Sequence, residues 1–566
     1  ATSIRTIGDS LHGLSLQAWV TSAYLITSTI ATPLYGKLSD VYGRKPFYLL
    51  AIVLFLIGSL LSGTADTMYQ LAIYRGVQGL GAGGLMSLAI TILGDLVPPR
   101  ERARYQGLFL AVFGTSSVLG PVIGGFFAGA ETILGIAGWR WLFLINIPIG
   151  IVGLVVITKV LHLPPLPKVA HRIDWQGALA LVIGLVPLLL VAVQGRAWGW
   201  DSSRSFACYT LGVVGLGLFL LAERMAGADA LLPLYLFRNR TFAIGAGTNT
   251  IIGLGMFGVL ATLPLYLQIA KNMSPTEAGL TLIPLTVGIM SGSLIAGQLT
   301  SRTGRYKIFP VVGTVLLTLG ALLLSRLTVD TSLTVIGTYS IVFGLGLGLC
   351  MQPLILAVQN AVPAKEMGVA TSSSLFFRQV GGTLGTAVFL SILFSTVGDR
   401  IAGAFRTIAP TADFQAALGD PAVLADPANK PVLDLMSGAA GGTSGMLDDS
   451  SFISALDPRL ARPFQVGFAE SIDLVLMLAA AVMVIAIVLA LLLPELPLRN
   501  VSGIQGRVDA EAAAAAEAGT TASARAAGTD SAPDERLGGI LEDGRDVGEE
   551  ERPERAVDEP VVERQR

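Results

Sequence analysis

The sequence predicts an all-α membrane protein made of two related helical bundles. Three observations lead to this prediction. Hydrophobic residues make up 52% of the 566 residues and charged residues only 14%, with a mean hydropathy of +0.67. Apolar runs recur about every 30 to 40 residues, and each is long enough to cross ~30 Å of hydrocarbon as a helix. One charged motif occurs twice, once in each half.

Thirteen runs qualify as spans, and their orientation follows from the cations between them. Lys37, Arg44 and Lys45 share one connection, and alternate connections along the chain carry further cations, which predicts that this set faces the cytoplasm. Thirteen spans with a cytoplasmic carboxyl end would put residue 1 outside the cell. Because "ATSIRTIGDSLHG" at the start does not resemble a signal peptide, we expect one further span before residue 1. A genuine external amino terminus is the alternative. The predicted spans are 17–35, 47–65, 68–96, 107–128, 141–161, 175–194, 206–222, 242–268, 279–300, 309–325, 332–359, 368–396 and 467–493.

The spans divide the chain into six parts. Residues 397–466 form a long external loop whose Asp-Pro punctuation leaves open a small helical cap or a disordered strap. Residues 501–566 hold 16 acidic against 8 basic residues and no aromatic residue, which predicts a disordered cytoplasmic tail. The parts are an amino-terminal bundle at 1–161, two inserted spans with linkers at 162–241, a carboxyl-terminal bundle at 242–396, the loop at 397–466, a last span at 467–495 and the tail at 496–566.

The composition argues against several classes of enzyme. Cys208 and Cys350 lie inside apolar runs, so neither a disulfide nor a metal site is indicated. The three histidines, His12, His162 and His171, lie in polar connections. Histidine-dependent or metal-dependent catalysis therefore has little material, and no phosphate-binding P-loop motif is present. No nucleic-acid partner is expected.

The repeated motif is "GKLSDVYGRK" at 36–45 and "GQLTSRTGRY" at 297–306, offset by 261 residues. An internal repeat of this kind is typical of secondary transporters. Gly36 and Gly43 predict close helix approach and a turn with positive φ. Asp40 is expected at the start of the next helix, within reach of Arg44. Ser301 replaces the acid in the second copy, so an acid-dependent latch between conformations would belong to the first half.

Two further cations lie inside apolar runs. Arg75 is followed by Gln78 in "YRGVQG", and an intramembrane cation usually faces a polar cavity, although Arg75 is near enough to a span end to reach the interface. Arg378 lies two to three turns into its span, where bonding to helix carbonyls and a functional role are equally open. None of the Asp or Glu residues in this sequence lies in the middle of a predicted span.

At these residues the chain resembles the major facilitator superfamily, over about residues 5–495. The loop between the second and third spans of that family carries G-x-L-x-D-x-x-G-R-K, its R-x-x-Q-G pattern matches Arg75 and Gln78, and Asp95 is similar in position to an acid that pairs with the loop arginine. The resemblance thus implies one cluster of Asp40, Arg44 and Asp95. The pattern that marks its antiporters matches Gly114, Gly120, Pro121, Gly124 and Gly125.

The resemblance is to the fourteen-span drug:proton antiporters, since "GWRWLFLINIPIG" at 138–150 is similar to the sequence entering their sixth span. It implies two six-helix bundles plus two inserted spans, and proton-coupled efflux of lipophilic or cationic drugs by a monomer in a bacterial cytoplasmic membrane, without a cofactor. Proton coupling and gating would involve Arg75, Asp40, Arg44, Asp95 and Arg378. The candidate residues for a substrate cavity, for each of which ordinary packing is the alternative, are Tyr24, Gln78, Asn146, Asn249, Tyr266, Gln352 and Phe376.

Other functions keep some support at this stage. The same fold can export an endogenous lipid, siderophore or metabolite, and the sequence does not separate this cargo from drugs. A transporter-derived sensor or scaffold acting through its tail would lose function when residues 500–566 are removed, whereas a pump would not. A multispan acyl or glycosyl transferase would need an acid, histidine or metal cluster near a membrane face, which the sequence lacks.

Overall fold

The computed structural model describes residues 17–98, 130–163, 174–227, 229–430 and 450–498, together with isolated positions within 7–11, 101–127, 432–433 and 502–512. These residues are almost entirely helical, which confirms the predicted fold class. Their strands are the two-residue β1 (Thr132–Ile133) and β2 (Ile136–Ala137), which pair antiparallel with Thr132 opposite Ala137. Leu134 and Gly135 join them with φ of 53° and 75°, as a two-residue hairpin turn requires.

The first part of the chain forms one bundle. Helix α1 packs against α3, α3 against α2, and α2 against α5. Helix α1 ends where Gly43 takes a φ of 101°, a conformation that glycine adopts without strain, and α2 begins one residue later. The predicted span at 107–128 lies mostly outside the described residues. The helices are α1 (Gln17–Tyr42), α2 (Arg44–Gly63), α3 (Met68–Leu96), α4 (Trp141–Leu144) and α5 (Asn146–Val160), with a 3-10 turn at Gly138–Arg140.

Helices α6 (Trp175–Trp198) and α7 (Ser203–Ala226) form the inserted pair. Asp174 begins α6 by accepting a hydrogen bond from the Gly177 amide, and Ser202 begins α7 in the same way, as helix N-caps do. A side chain on Gly215 would lie 2.4 Å from the Gly184 nitrogen, so the two backbones touch. Helix α6 also packs against α1 and against α13 (Met367–Ile408), a long helix of the second bundle.

The second bundle contains the longest helices. Helix α8 packs against α13 and α16, α10 against α12, and α11 against α12 and α16. Gly304, with a φ of 69°, lies between α10 and α11 as Gly43 lies between α1 and α2, which gives the sequence repeat a structural counterpart. The helices are α8 (Arg240–Leu265), continued by a π-helical turn (Tyr266–Ala270), α9 (Pro275–Thr281), α10 (Ile283–Thr303), α11 (Ile308–Leu324), α12 (Leu333–Ala361) and α13 (Met367–Ile408), with 3-10 turns at Leu234–Arg238 and Ala364–Glu366.

Ten helical segments of the described residues are long and apolar enough to cross a membrane, and each coincides with a predicted span. The span predicted at 309–325 is α11, an apolar helix of 17 residues. The span predicted at 17–35 lies within α1, which is not among the ten. The hydroxyl side chains of α1 lower its mean hydropathy. Thr29 and Thr32 are nevertheless buried, because their hydroxyl groups donate to carbonyls of the preceding turn and are thereby satisfied inside a helix contact.

The loop predicted at 397–466 begins and ends in helices that are longer than expected. Helix α13 continues to Ile408 instead of ending at 396, and α16 (Pro458–Leu492) begins nine residues before the predicted 467. At 1.5 Å per residue these helices are roughly 60 and 50 Å long, well beyond the ~30 Å of hydrocarbon. The extension of α13 buries Val397, Ile401 and Ala404, whose spacing puts them on one helix face.

Short helices lie between these two extensions, and of the two alternatives left by the sequence they form a helical cap. We call residues 397–433 and 450–466 the cap. It contains α14 (Ala412–Leu418), α15 (Pro421–Ala425) and 3-10 turns at Pro427–Asn429 and Ser450–Ala455. Its core is an apolar cluster of Val397, Ile401, Phe414, Ala417, Val423, Val432, Ile453, Leu456, Leu460, Ala461, Phe464 and Phe468.

Candidate functional site

The charged motif forms a buried ion cluster where α1 turns into α2. Arg44 is the first residue of α2 and its side chain is 3% exposed. Its Nε donates to Asp95 Oδ2 at 2.8 Å, one terminal nitrogen donates to Ser39 Oγ at 2.7 Å, and the other pairs with the Asp40 carboxylate. The structure therefore brings together Asp40, Arg44 and Asp95. Two carboxylates around one guanidinium compensate a charge that would otherwise be costly to bury.

Asp40 also reaches across to the second bundle. Its carboxylate accepts hydrogen bonds from the amides of Gly368, at 3.2 Å, and Val369, at 2.8 Å. These amides belong to the first turn of α13, whose N–H groups have no partner within the helix. The prediction that Asp40 lies at the start of the next helix was wrong. Asp40 lies in the last turn of α1, and Gly43 is the N-cap of α2, without a side-chain hydrogen bond. The Asp40 carboxylate caps the start of α13 instead.

Two glycines allow this approach. A side chain on Gly36 would lie 1.9 Å from Ser372 Oγ, and one on Gly368 would lie 2.4 Å from the Arg44 guanidinium. Both distances are far below van der Waals contact, so a larger residue at either position would displace Ser372 or the ion cluster. We call the contact of Gly36, Asp40 and Arg44 with Gly368, Val369 and Ser372 the latch, because it joins the two bundles through one ion cluster.

The linker after the inserted pair also reaches the start of α13. Tyr235 donates a hydrogen bond to Glu366, the residue before α13, and Asn239 donates to the Ala361 carbonyl at 2.9 Å. Burial and the adjacent Glu366 carboxylate raise the pKa of Tyr235, so the phenol stays a proton donor. The sequence analysis did not identify Tyr235 or Glu366 as site residues. An acid directly before an apolar run, as Glu366 is, signals a helix start, but nothing in the sequence singles out Tyr235.

A second polar group lies inside the first bundle. Arg75 donates to Gln78 Oε1 at 2.6 Å, and Gln78 donates to Ser59 Oγ at 2.5 Å. Asn146 donates to the same hydroxyl at 3.2 Å. The Arg75 guanidinium also lies 4.1 Å from the centre of the Tyr24 ring, a cation–π distance. Four predicted residues thus form one network from α1, α3 and α5, and Ser59 of α2, which the sequence did not suggest, joins them.

Arg378 lies in the second bundle without such partners. Its side chain is 8% exposed, and one terminal nitrogen is fully enclosed. Among the described residues, this nitrogen has no hydrogen-bond partner, and Arg378 takes part in none of the ion pairs. The neighbouring Gln379 contacts the Thr32 hydroxyl of α1 at 3.5 Å. The bonding to helix carbonyls that the sequence left open is therefore not observed.

Three of the remaining predicted cavity residues are buried by contacts with neighbouring groups. Tyr266 is 1% exposed and donates to the Thr328 carbonyl at 2.7 Å. Asn249 is also 1% exposed and bonds to the Gly245 carbonyl of its own helix at 2.9 Å. Phe376 packs into the apolar cluster of α1 and α6. Packing explains these three positions, whereas Gln352 is half-buried on α12.

The antiporter motif is described only in part. Gly114, Pro121 and Gly125 lie outside the described residues. Gly120 is exposed, with no atom within 4 Å of where its side chain would be, and Gly124 is half-buried. Within the described ranges, no group of three or more His, Cys, Asp or Glu side chains could hold a metal ion.

Two helical bundles that are related by an internal repeat and joined by a buried ion cluster define a multi-pass membrane transporter. The sequence matches the Major Facilitator Superfamily over residues 1–386. The chain belongs to this superfamily, so its activity is transport rather than catalysis.

Several relatives share a large part of the chain. Multidrug transporter protein MdtP of Bacillus subtilis is 36% identical over 402 residues, which cover 70% of this chain and 72% of the relative. Multidrug resistance protein 3 of the same organism is 34% identical over 74% of this chain and 81% of its own length. A tetracycline resistance determinant of Streptomyces rimosus is 36% identical over 57% of this chain and 92% of its own length.

Solved structures support the fold. A double-tryptophan mutant of XylE superposes with a TM-score of 0.53 at 14% sequence identity, covering 90% of this chain and 94% of that one. The proton:xylose symporter XylE bound to 6-bromo-6-deoxy-D-glucose gives a TM-score of 0.51 at 15% identity, with 87% and 91% covered. At such identities the likeness concerns the fold alone.

Proposed function

We propose that this protein is a proton-coupled efflux transporter of lipophilic or cationic compounds that works by alternating access. In this proposal the protein is one of the fourteen-span drug:proton antiporters. It acts as a monomer in a bacterial cytoplasmic membrane, and its carboxyl terminus lies in the cytoplasm. The proton gradient supplies the energy, and no cofactor takes part. The names of the B. subtilis and S. rimosus relatives, two for multidrug and one for tetracycline resistance, support efflux as the direction.

The latch is the observation that carries this proposal. Alternating access requires a contact between the two bundles that forms in one conformation and separates in the other. Asp40 provides such a contact, since its carboxylate pairs with Arg44 of its own bundle while it accepts two amide hydrogen bonds from α13. Separating α13 from Asp40 leaves the carboxylate paired with Arg44, so the contact can open without stranding a charge.

The Arg75 network is the proposed coupling element. It links α1, α2, α3 and α5 through Tyr24, Ser59, Gln78 and Asn146. A cation held in this position lowers the pKa of any carboxyl group that approaches it. Arg75 therefore favours proton release in one conformation and proton uptake in the other.

The test is dye efflux from energised cells that express the full-length chain. Efflux is measured with and without an uncoupler, for the native protein and for Arg75→Ala. We expect the uncoupler to abolish efflux and the variant to lose most of it. Arg204→Ala is the matched control, because Arg204 is exposed at the start of α7. Efflux that persists with the uncoupler would rule out proton coupling, and native efflux by Arg75→Ala would remove Arg75 from the mechanism.

A further inference from the structure

Arg378 is the most isolated charge in the described spans. It lies eleven residues after Met367, the first residue of α13, which places it roughly 16 Å along the helix axis. Its guanidinium cannot lose its proton. A permanently charged group at this depth is costly unless something compensates it.

The buried Arg44 and the half-buried Arg75 both have such compensation. Arg44 pairs with Asp40 and Asp95. Arg75 has the Gln78 amide and the Tyr24 ring. Arg378, in contrast, has an enclosed terminal nitrogen without a partner, and none of the ion pairs among the described residues includes it.

Three carboxylates of the described spans are engaged elsewhere. Asp95 accepts from Arg44, and Glu223 accepts from the Leu232 amide at 2.9 Å. Glu470 pairs with Arg400, more than twenty residues beyond Arg378 on α13. Next to Arg378 on α13, Gln379 contacts the Thr32 hydroxyl of α1, so α13 meets the first bundle at this level without the Arg378 side chain. Among the described residues, Arg378 is therefore a buried positive charge without a counter-charge, close to the contact of α13 with α1.

We propose that Arg378 is the docking point for the negatively charged end of the substrate. The cargo would be a lipophilic molecule that ends in a carboxylate or a comparable acidic oxygen group. A guanidinium offers such a group two parallel charge-assisted hydrogen bonds. The guanidinium is already largely desolvated in the folded protein, so a bound anion would gain these hydrogen bonds at little further desolvation cost to Arg378. This inference rests on the proposed efflux function. Of the substrates named there, it keeps the lipophilic compounds, restricts them to those with an acidic end, and replaces the cationic ones.

The experiment compares two fluorescent probes that differ only in charge. One is a dansyl-labelled undecanoate, and the other is the same labelled chain ending in an ammonium group. Each is titrated into the detergent-purified full chain in the absence of a proton gradient. We expect the native protein to bind the carboxylate probe at least tenfold more tightly than the ammonium probe.

Two variants then isolate the charge. Arg378→Gln should weaken binding of the carboxylate probe at least tenfold and leave the ammonium probe unchanged or bound more tightly. Arg378→Lys keeps the charge and should lose less than Arg378→Gln. Arg400→Gln is the matched control, since it removes the same charge from the half-exposed far end of the same helix, and it should change neither probe.

Each outcome decides the proposal. Equal binding of the two probes by the native protein would overturn it, even if Arg378→Gln does not purify as a folded protein. A parallel loss of both probes in Arg378→Gln, or no loss of either, would also overturn it. Because the titration uses no gradient, it is independent of the uncoupler test, so a failure of proton-coupled efflux and a failure of anion recognition remain distinguishable.

Discussion

Asp40 shows how one side chain can serve two bundles. The sequence indicated its importance because the second copy of the motif has Ser301 in its place, and the motif correctly predicted its contact with Arg44. It did not indicate α13, because helix contacts between residues more than 300 positions apart leave no local pattern. In the second copy, Ser301 bonds to the Gln298 carbonyl of its own helix, so the pair of motifs is chemically asymmetric.

The first prediction concerns the charge of Asp40. Asp40→Asn keeps a carbonyl oxygen for the Gly368 and Val369 amides but loses the ion pair with Arg44. We expect the contact to weaken by about 1–3 kcal/mol, as for a charged hydrogen bond that loses its charge. Hydrogen exchange at amides 368–369 should then be about tenfold faster or more. Asp66→Asn, at an exposed pair with Arg140, should leave this exchange unchanged, and unchanged exchange in Asp40→Asn would contradict the latch.

The second prediction concerns the space at Gly36. Gly36→Ala would overlap Ser372 and should push α1 away from α13, which lowers the melting temperature and speeds exchange at 368–372. Adding Ser372→Gly should restore part of the loss. Gly153→Ala is the control, because nothing lies within 4 Å of its new methyl group and alanine should stabilise this helix by about 1 kcal/mol. If Gly36→Ala and Gly153→Ala behave alike, the close approach of α1 to α13 is not important for stability.

At the level of elements, the cap shows that hydropathy predicts the spans but not the full length of the helices. The spans of α13 and α16 were placed correctly, yet both helices continue past the apolar run. Their extensions carry Arg400 and Arg459 among buried residues such as Ile401 and Leu460. The mean hydropathy of these extensions is too low to predict a span. The spacing of their apolar residues along one face, however, is typical of an amphipathic helix.

The third prediction addresses this cap. Phe464 is fully buried and packs edge-on against Phe405 and Phe452, with ring centres 5.2 and 5.4 Å apart. Phe464→Ala should cost about 3–5 kcal/mol locally. Hydrogen exchange should therefore accelerate in residues 412–430 but not at the latch, at the other end of α13. Arg462→Ala, at a half-exposed pair with Asp330, should have little effect. Acceleration at both ends of α13 would show that the cap and the latch are one cooperative unit.

For the whole molecule, the internal repeat and the spans made the class predictable, because membrane helices must satisfy their backbone internally and therefore appear as long apolar runs. The position of the inserted pair was not predictable. Leu181, Leu185 and Leu189 of α6 pack with Ile26 and Ile30 of α1, and α6 also meets α13. All these side chains are aliphatic, and an aliphatic face does not specify which other face it contacts.

The fourth prediction separates a pump from a sensor. The tail from residue 500 holds twice as many acidic as basic residues, and such a segment does not bury apolar surface. A chain that ends at residue 499 should retain native dye efflux in energised cells, measured against Arg75→Ala as the inactive reference. Loss of efflux at equal expression would favour a sensor or scaffold that acts through its tail.

The central claim is that substrate leaves in exchange for protons. A measurement of substrate/proton antiport in proteoliposomes tests it most directly. The purified full chain is reconstituted with a pH-sensitive dye trapped inside, and a lipophilic substrate is added under an imposed pH gradient. Our account predicts substrate movement against its concentration gradient, with proton flux in the opposite direction that stops when substrate is withheld. Substrate movement that ignores the pH gradient and carries no proton flux would contradict it.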